Sequence, residues 1–219
     1  MIETSVNKSQ LTKMSYIPRK IQNYGEQHLS LDEFLFEKSK RFSIIVITDK
    51  AGSGKTTLLK KFHEILVKKY LNFKIIFVNL KSTQESLSDA SSSNFIHEIS
   101  KTLKFNEENE KVLSENFQKG KVKILFDGYD ELSQKNQKKF LKILQLYDDF
   151  PYQGKNQMFV TNRKELKEVF EDKIFNYELK LTSFTTNEQI TFLTQFWIEK
   201  NPNLDLKLIE HCAKLLVEK

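Results

Sequence analysis

Apolar residues along this chain recur in two alternating periods, and the alternation outlines a fold. Residues 43–48 (Ser-Ile-Ile-Val-Ile-Thr) form a nearly continuous β-branched run, the pattern of a strand covered on both faces. Comparable short runs predict four more strands over 74–79, 122–127, 157–161 and 177–181. The stretches between them carry apolar residues three and four apart. Leu58, Leu59, Phe62, Ile65 and Leu66 predict a helix over 55–70, and Phe95, Ile96, Ile99 and Leu103 predict another. Residues 82–93 are polar and serine-rich and read as a loop. Asn106, followed by Glu107 and Glu108, has the chemistry of a helix start, an amide oxygen to cap and acids to complement the dipole, for a helix ending at Gln118. Phe140, Leu141, Ile143, Leu144 and Tyr147 give one apolar face to 134–147. Asn162 with Glu165, and Thr185 with Glu188, have capping-box spacing. The second box starts a helix carrying Ile190, Phe192, Leu193, Phe196 and Trp197, read as core of a helical domain.

Strands alternating with helices predict an α/β fold: a three-layer α/β/α sandwich on a five-stranded parallel sheet. Residues 1–40 show little period beyond Leu31, Phe34 and Leu35, and read as a lead-in segment. Residues 41–182 hold all five strands and form the α/β domain. From 183 onward the pattern is helical only, and it stops after Leu215-Leu216-Val217 without a glycine or proline. That reads as the start of a helical domain within a longer chain.

Composition narrows the class. At 219 residues, with 39% hydrophobic and 29% charged positions, the chain has material for one large soluble domain and part of another. The 35 basic and 29 acidic residues leave a formal charge of +6, too small and too scattered to point to a nucleic-acid partner. One cysteine, Cys212, excludes an internal disulfide framework and a Cys-rich zinc site, and its helical apolar face reads as core. His28, His63, His97 and His211 have no metal-ligand spacing. The longest apolar runs are four residues, 44–47 and 75–78, so no membrane span is expected. The first residues carry no apolar signal-like stretch, and a cytoplasmic location is expected.

Between the first strand and its helix lies Asp49-Lys50-Ala51-Gly52-Ser53-Gly54-Lys55-Thr56-Thr57. Strand, glycine-rich loop and helix in that order are the context of a phosphate-binding (Walker A) loop. Gly52 and Gly54 let successive backbone N–H groups turn into one concavity, and the helix start adds unsatisfied donors with partial positive charge. Ala51, Gly52, Ser53, Gly54, Lys55, Thr56 and Thr57 are therefore the nucleotide-binding candidates. Lys55 supplies a point charge for the β- and γ-phosphates, and the Thr56 hydroxyl a ligand for Mg²⁺. Asp49 stands where the pattern places its first glycine. Its carboxylate must turn away from a triphosphate or cap the loop.

The third strand ends Ile124-Leu125-Phe126-Asp127-Gly128-Tyr129-Asp130-Glu131. An acid at the C-terminal tip of a buried parallel strand lies on the edge where such sheets bind ligands (the Walker B position), which makes Asp127 the second metal candidate. Asp127, Asp130 and Glu131 crowd three carboxylates into five residues, and their repulsion calls for a nearby cation. Asp130 or Glu131 is placed to orient or deprotonate an attacking water. The fourth strand ends Thr161-Asn162-Arg163. If the order of the five strands is 2-3-4-1-5, that end falls between the two motifs, and Arg163 can sense a γ-phosphate.

Together, the loop at 49–57, the Asp-Gly-Tyr-Asp-Glu stretch at 127–131, and Thr161-Asn162-Arg163 followed by Leu181-x-x-Phe184 resemble the NACHT family over roughly residues 14–219. These are P-loop NTPases of the STAND class, the nucleotide-regulated switches of NOD-like and other innate-immune receptors. The resemblance implies an ATP/ADP-binding core with Mg²⁺, slow ATP hydrolysis, and nucleotide-controlled self-association within a longer signalling chain. It maps the phosphate-loop residues to Lys55 and Thr56, the metal acid to Asp127, the distal acids to Asp130 and Glu131, and the strand-four arginine to Arg163. Asn162 and Lys164 depart from the small hydroxyl residue and proline usual beside that arginine. Tyr16-Ile17-Pro18 stands by position either against the adenine or as an unrelated loop.

Other readings remain open on the residues alone. A GTPase would want glycine where Asp130 stands, and a guanine-reading Asn-Lys-x-Asp is missing from the sequence. A small-molecule P-loop kinase would normally bring several lid arginines, and only Arg19, Arg41 and Arg163 occur. A scaffold that binds nucleotide without hydrolysing it fits the same motifs.

Overall fold

The computed structural model describes residues 20–22, 29–39, 42–87, 94–149, 155–163 and 177–218. Tyr16-Ile17-Pro18, Lys164, Glu165 and the second half of the serine-rich stretch lie outside the described residues. The chain begins with a two-residue strand, β1 (Ile21–Gln22), and a helical turn, α1 (Leu31–Glu33), continued by a π-helical stretch (Phe34–Lys38). Ser30 and Glu33 close a capping box ahead of that turn. Strands β2 (Ile44–Thr48), β3 (Lys74–Asn79), β4 (Val122–Asp127), β5 (Gln157–Asn162) and β6 (Tyr177–Leu181) follow. Interleaved with them are helices α2 (Lys55–Lys69), α3 (Leu80–Thr83), α4 (Phe95–Thr102), α5 (Glu107–Gln118) and α6 (Gln134–Asp148).

The sheet order is β1-β6-β2-β5-β4-β3. From the β3 edge, the five parallel strands stand in the order 2-3-4-1-5 of the sequence reading. The sheet is nevertheless six-stranded and mixed, because β1 adds an antiparallel edge with Ile21 opposite Leu181 and Gln22 opposite Lys180. Two residues are too few to display a strand period, so β1 has no signature in the sequence. The loop expected over 82–93 also begins later than its composition suggests. The Asn79 side chain accepts from Ser82 N and caps α3, drawing Ser82 and Thr83 into a helical turn.

Successive strand residues face opposite sides of the sheet. Ile44, Val46, Ile124, Phe126, Met158 and Val160 pack with Phe95, Ile99, Leu113, Phe117, Phe140, Ile143, Leu144 and Tyr147 from α4, α5 and α6. On the other face Phe62 of α2 meets Phe159 edge-on, and Phe34 stacks on both Phe62 and Tyr177. The described residues before position 41, 20–22 and 29–39, thus belong to the α/β unit, where Ile21, Phe34 and Leu35 are fully or almost fully buried. Asn156 bolts the N-terminal side of the sheet: its Oδ1 accepts from Val122 N at 2.9 Å, and its Nδ2 donates to the Phe117 carbonyl at 2.8 Å.

Lys20–Thr182 form this unit, and Ser183–Lys219 belong to a second one. There, α7 (Thr186–Lys200) starts at a Thr185–Glu188 capping box and packs with α8 (Leu206–Val217), capped by Asp205. Ile209 and Ala213 are the buried positions of α8, and α7 has none. Phe192, Phe196, Trp197 and Cys212, expected as core, are only half-buried. Two helices packed on each other cannot enclose aromatic rings on every side. No helix among the described residues is long and apolar enough to cross a membrane.

Candidate functional site

In the sheet β5 lies between β2 and β4, so the C-terminal tips of all three strands meet at one edge. The β2 tip leads into the glycine-rich loop, whose last glycine, Gly54, takes φ = 93° and forms the N-cap of α2. A residue with a Cβ is strained there, whereas glycine is not. The first amides of α2, which have no intrahelical acceptors, are thereby presented at the end of the loop.

Lys55 follows at once. Its Nζ donates to the carbonyls of Asp49 and Lys50, both at 2.6 Å, and lies 3.4 Å from Ser53 Oγ. The ammonium thus holds the loop around itself. Burial pushes its pKa below the ordinary 10.5, while Asp49, Asp130 and Asp127 oppose that shift and Arg163 adds to it. Asp49 does not intrude: its Oδ1 accepts from the next backbone amide, Lys50 N, at 2.7 Å, so the carboxylate caps the loop.

On the acid strand, Asp127 is buried, and its Oδ1 accepts from Thr56 Oγ1 at 3.1 Å and from Thr161 Oγ1 at 2.8 Å. Gly128, at φ = 84°, turns the chain into the short helical turn Tyr129–Glu131. The carboxylate crowding read from the sequence is relieved by Arg163, whose Nε lies 2.7 Å from Asp130 Oδ2 and whose Nη2 lies 3.6 Å from Glu131 Oε1. Lys81 adds a longer contact to Glu131 at 4.0 Å.

One cavity of about 330 Å³ collects these groups. Ala51, Gly52, Gly54, Lys55, Thr56 and Thr57 line it from the loop, and Asp127, Gly128, Asp130, Glu131, Thr161 and Arg163 from the acid side. Ser53 alone of the loop candidates is missing from the lining and instead faces Lys55 Nζ. The donor set suits a hard divalent cation. Thr56 gives its only proton to Asp127, which leaves hydroxyl lone pairs beside a carboxylate, the oxygen ligands Mg²⁺ prefers. Thr161 was not among the candidates, although a polar residue at the tip of a strand otherwise rich in apolar residues was the available signal. Its contact with Asp127 needs the β4–β5 register, with Phe126 opposite Val160.

The sequence pattern of the NACHT domain matches residues 43–200. Among solved structures, the chain is similar to domain III of the Thermotoga maritima replication initiation protein DnaA, with a TM-score of 0.51 and 17% identity over 84% of this chain and 72% of that one. It is similar also to the crystal structure of a DNA replication initiation factor, with a TM-score of 0.51 and 15% identity over 85% and 58% of the two chains. Likeness at these identities establishes the α/β P-loop NTPase fold and nothing finer. A comparison with curated proteins gives no match.

Proposed function

The chain belongs to the NACHT family of nucleotide-binding P-loop NTPases, and we propose that its cavity takes ATP and ADP with Mg²⁺ as a slowly hydrolysing switch. The carrying observation is that the Lys55 loop and the Asp127 tip open into the same space. Exposed amides and an ammonium stand on one side, and a carboxylate paired with a hydroxyl on the other. Lys55 trades its loop carbonyls for phosphate oxygens when a triphosphate enters. Thr56 and Asp127 hold the cation, which when bound supplies charge neutralisation across the phosphates. Glu131 is the better candidate to accept a proton from water, because Asp130 is tied to Arg163 at 2.7 Å. Arg163, half-exposed at the cavity wall, is placed to leave the acids for a γ-phosphate and so to distinguish ATP from ADP. Catalysis here is that of a modest Mg²⁺-dependent ATPase. Its output is self-association through the NTPase domain within a longer cytoplasmic receptor of the signalling or innate-immune type.

A second reading rests on the same ion pair. With Asp130 and Glu131 both engaged by Arg163, the domain also suits a role as a nucleotide-stabilised scaffold that does not turn over. A time course of phosphate release, with and without oligomerisation, separates the two readings. The nucleotide itself is tested by denaturing the purified protein and chromatographing what is released. Adenine nucleotide is expected. A guanine nucleotide, or protein that neither carries nor takes up Mg·ATP, overturns the assignment.

A further inference from the structure

Thr161 belongs to neither the phosphate loop nor the acid strand, yet it is 2% exposed at the tip of β5, between the two. Its hydroxyl makes two hydrogen bonds whose directions are forced. A backbone amide can only donate and a carboxylate can only accept. Thr161 Oγ1 therefore accepts from Gly128 N at 2.7 Å, and its single proton goes to Asp127 Oδ1 at 2.8 Å. The Thr56 hydroxyl reaches the same Oδ1 at 3.1 Å from α2. A carboxylate pinned by one hydroxyl can still rotate about its Cβ–Cγ bond. Pinned by two, from a helix and from a neighbouring strand, it cannot rotate without losing one of them.

We propose that Thr161 is a positioning residue that fixes Asp127 for the divalent cation and couples it to the Gly128 turn carrying Asp130 and Glu131. This rests on the nucleotide reading above. Thr161 acts through Asp127 and the Gly128 amide. Removing its hydroxyl frees the carboxylate and leaves Gly128 N without its acceptor, while the phosphate loop keeps all its own contacts. Groups behind metal ligands typically change metal affinity by about 10- to 100-fold when removed.

The test compares the full chain with Thr161→Val, which keeps the shape, and Thr161→Ser, which keeps the hydroxyl. A fluorescent ATP analogue is titrated in EDTA, and in a separate EDTA-free sample Mn²⁺ is titrated into the analogue-bound protein and followed by its electron paramagnetic resonance. The Mn²⁺ concentration for half-saturation should rise about 10- to 100-fold in the valine variant and return toward the wild-type value in the serine variant. The loss should be confined to the divalent-dependent step. Three results overturn the proposal: an unshifted midpoint in Thr161→Val, a serine variant as poor as valine, or an equal loss of affinity in EDTA. The last would mean that the hydroxyl merely holds the fold. Failure of the nucleotide reading is distinguishable, because all three proteins would then ignore the analogue altogether, and the proposal would fall with it.

Discussion

Lys55→Ala removes the buried cation of the phosphate loop, and its consequences can be worked from the geometry. In the structure the ammonium is spent on two backbone carbonyls at 2.6 Å. A bound triphosphate replaces them as partners of the ammonium, and the quantity used is the net contribution of one hydrogen bond involving a charged group, an upper bound on the gain. Charge-assisted contacts contribute about 1.5–3 kcal/mol, which at about 1.4 kcal/mol per decade predicts an affinity loss of roughly 10- to 150-fold. The fold should tolerate the change, because the freed carbonyls belong to half-buried Asp49 and exposed Lys50, where water can serve them. Equilibrium titration of a fluorescent ATP analogue at fixed salt and Mg²⁺, beside a thermal melt of each protein, reads both quantities. An alanine variant that melts like the wild type and binds ATP equally well would refute the phosphate-loop reasoning.

Other substitutions probe the acid side and the frame. Glu131→Gln should leave ATP affinity intact and slow phosphate release in a single-turnover assay; undiminished release would move the base elsewhere, with Asp130 the next candidate. Arg163→Ala should narrow the difference between ATP and ADP affinities measured by calorimetry, and an equal loss of both would count against γ-phosphate sensing. Asn156→Ala strips the β4 start of an acceptor and Phe117 of a donor, both buried, at a cost of about 2–4 kcal/mol. For a chain of this size that is a fall in Tm of roughly 5–15 °C, read by calorimetry, and a shift under a degree or two would show that water replaces both contacts.

Much of this architecture was legible in the sequence because its signals are local. A strand buried on both faces has little choice but to be apolar throughout, and β2 is buried at all its positions. Asn106 and Thr185 announce their helices because an N-cap works within three residues. What escaped depends on partners distant in sequence. β1 exists only because β6 offers it an edge. The half-burial of Phe192 and Trp197 reflects how little two helices can cover. At the site, motif spacing identified the loop and the acid tip. The direction of the Asp49 carboxylate, the pairing of Arg163 with Asp130, and the Thr161 bond to Asp127 depend instead on loop geometry and strand register. The NACHT match and the P-loop NTPase fold agree with the coarse reading.

The central claim is that an ammonium on the β2–α2 loop and a carboxylate on the β4 tip act on one ligand. It is tested most directly by a double-mutant cycle on Mg·ATP affinity, combining Lys55→Ala with Asp127→Asn and measuring all four proteins by calorimetry. A shared ligand predicts a coupling energy of about 0.5–3 kcal/mol between the two changes. Losses that simply add, to within about 0.5 kcal/mol, would place the two groups in independent environments and contradict the account.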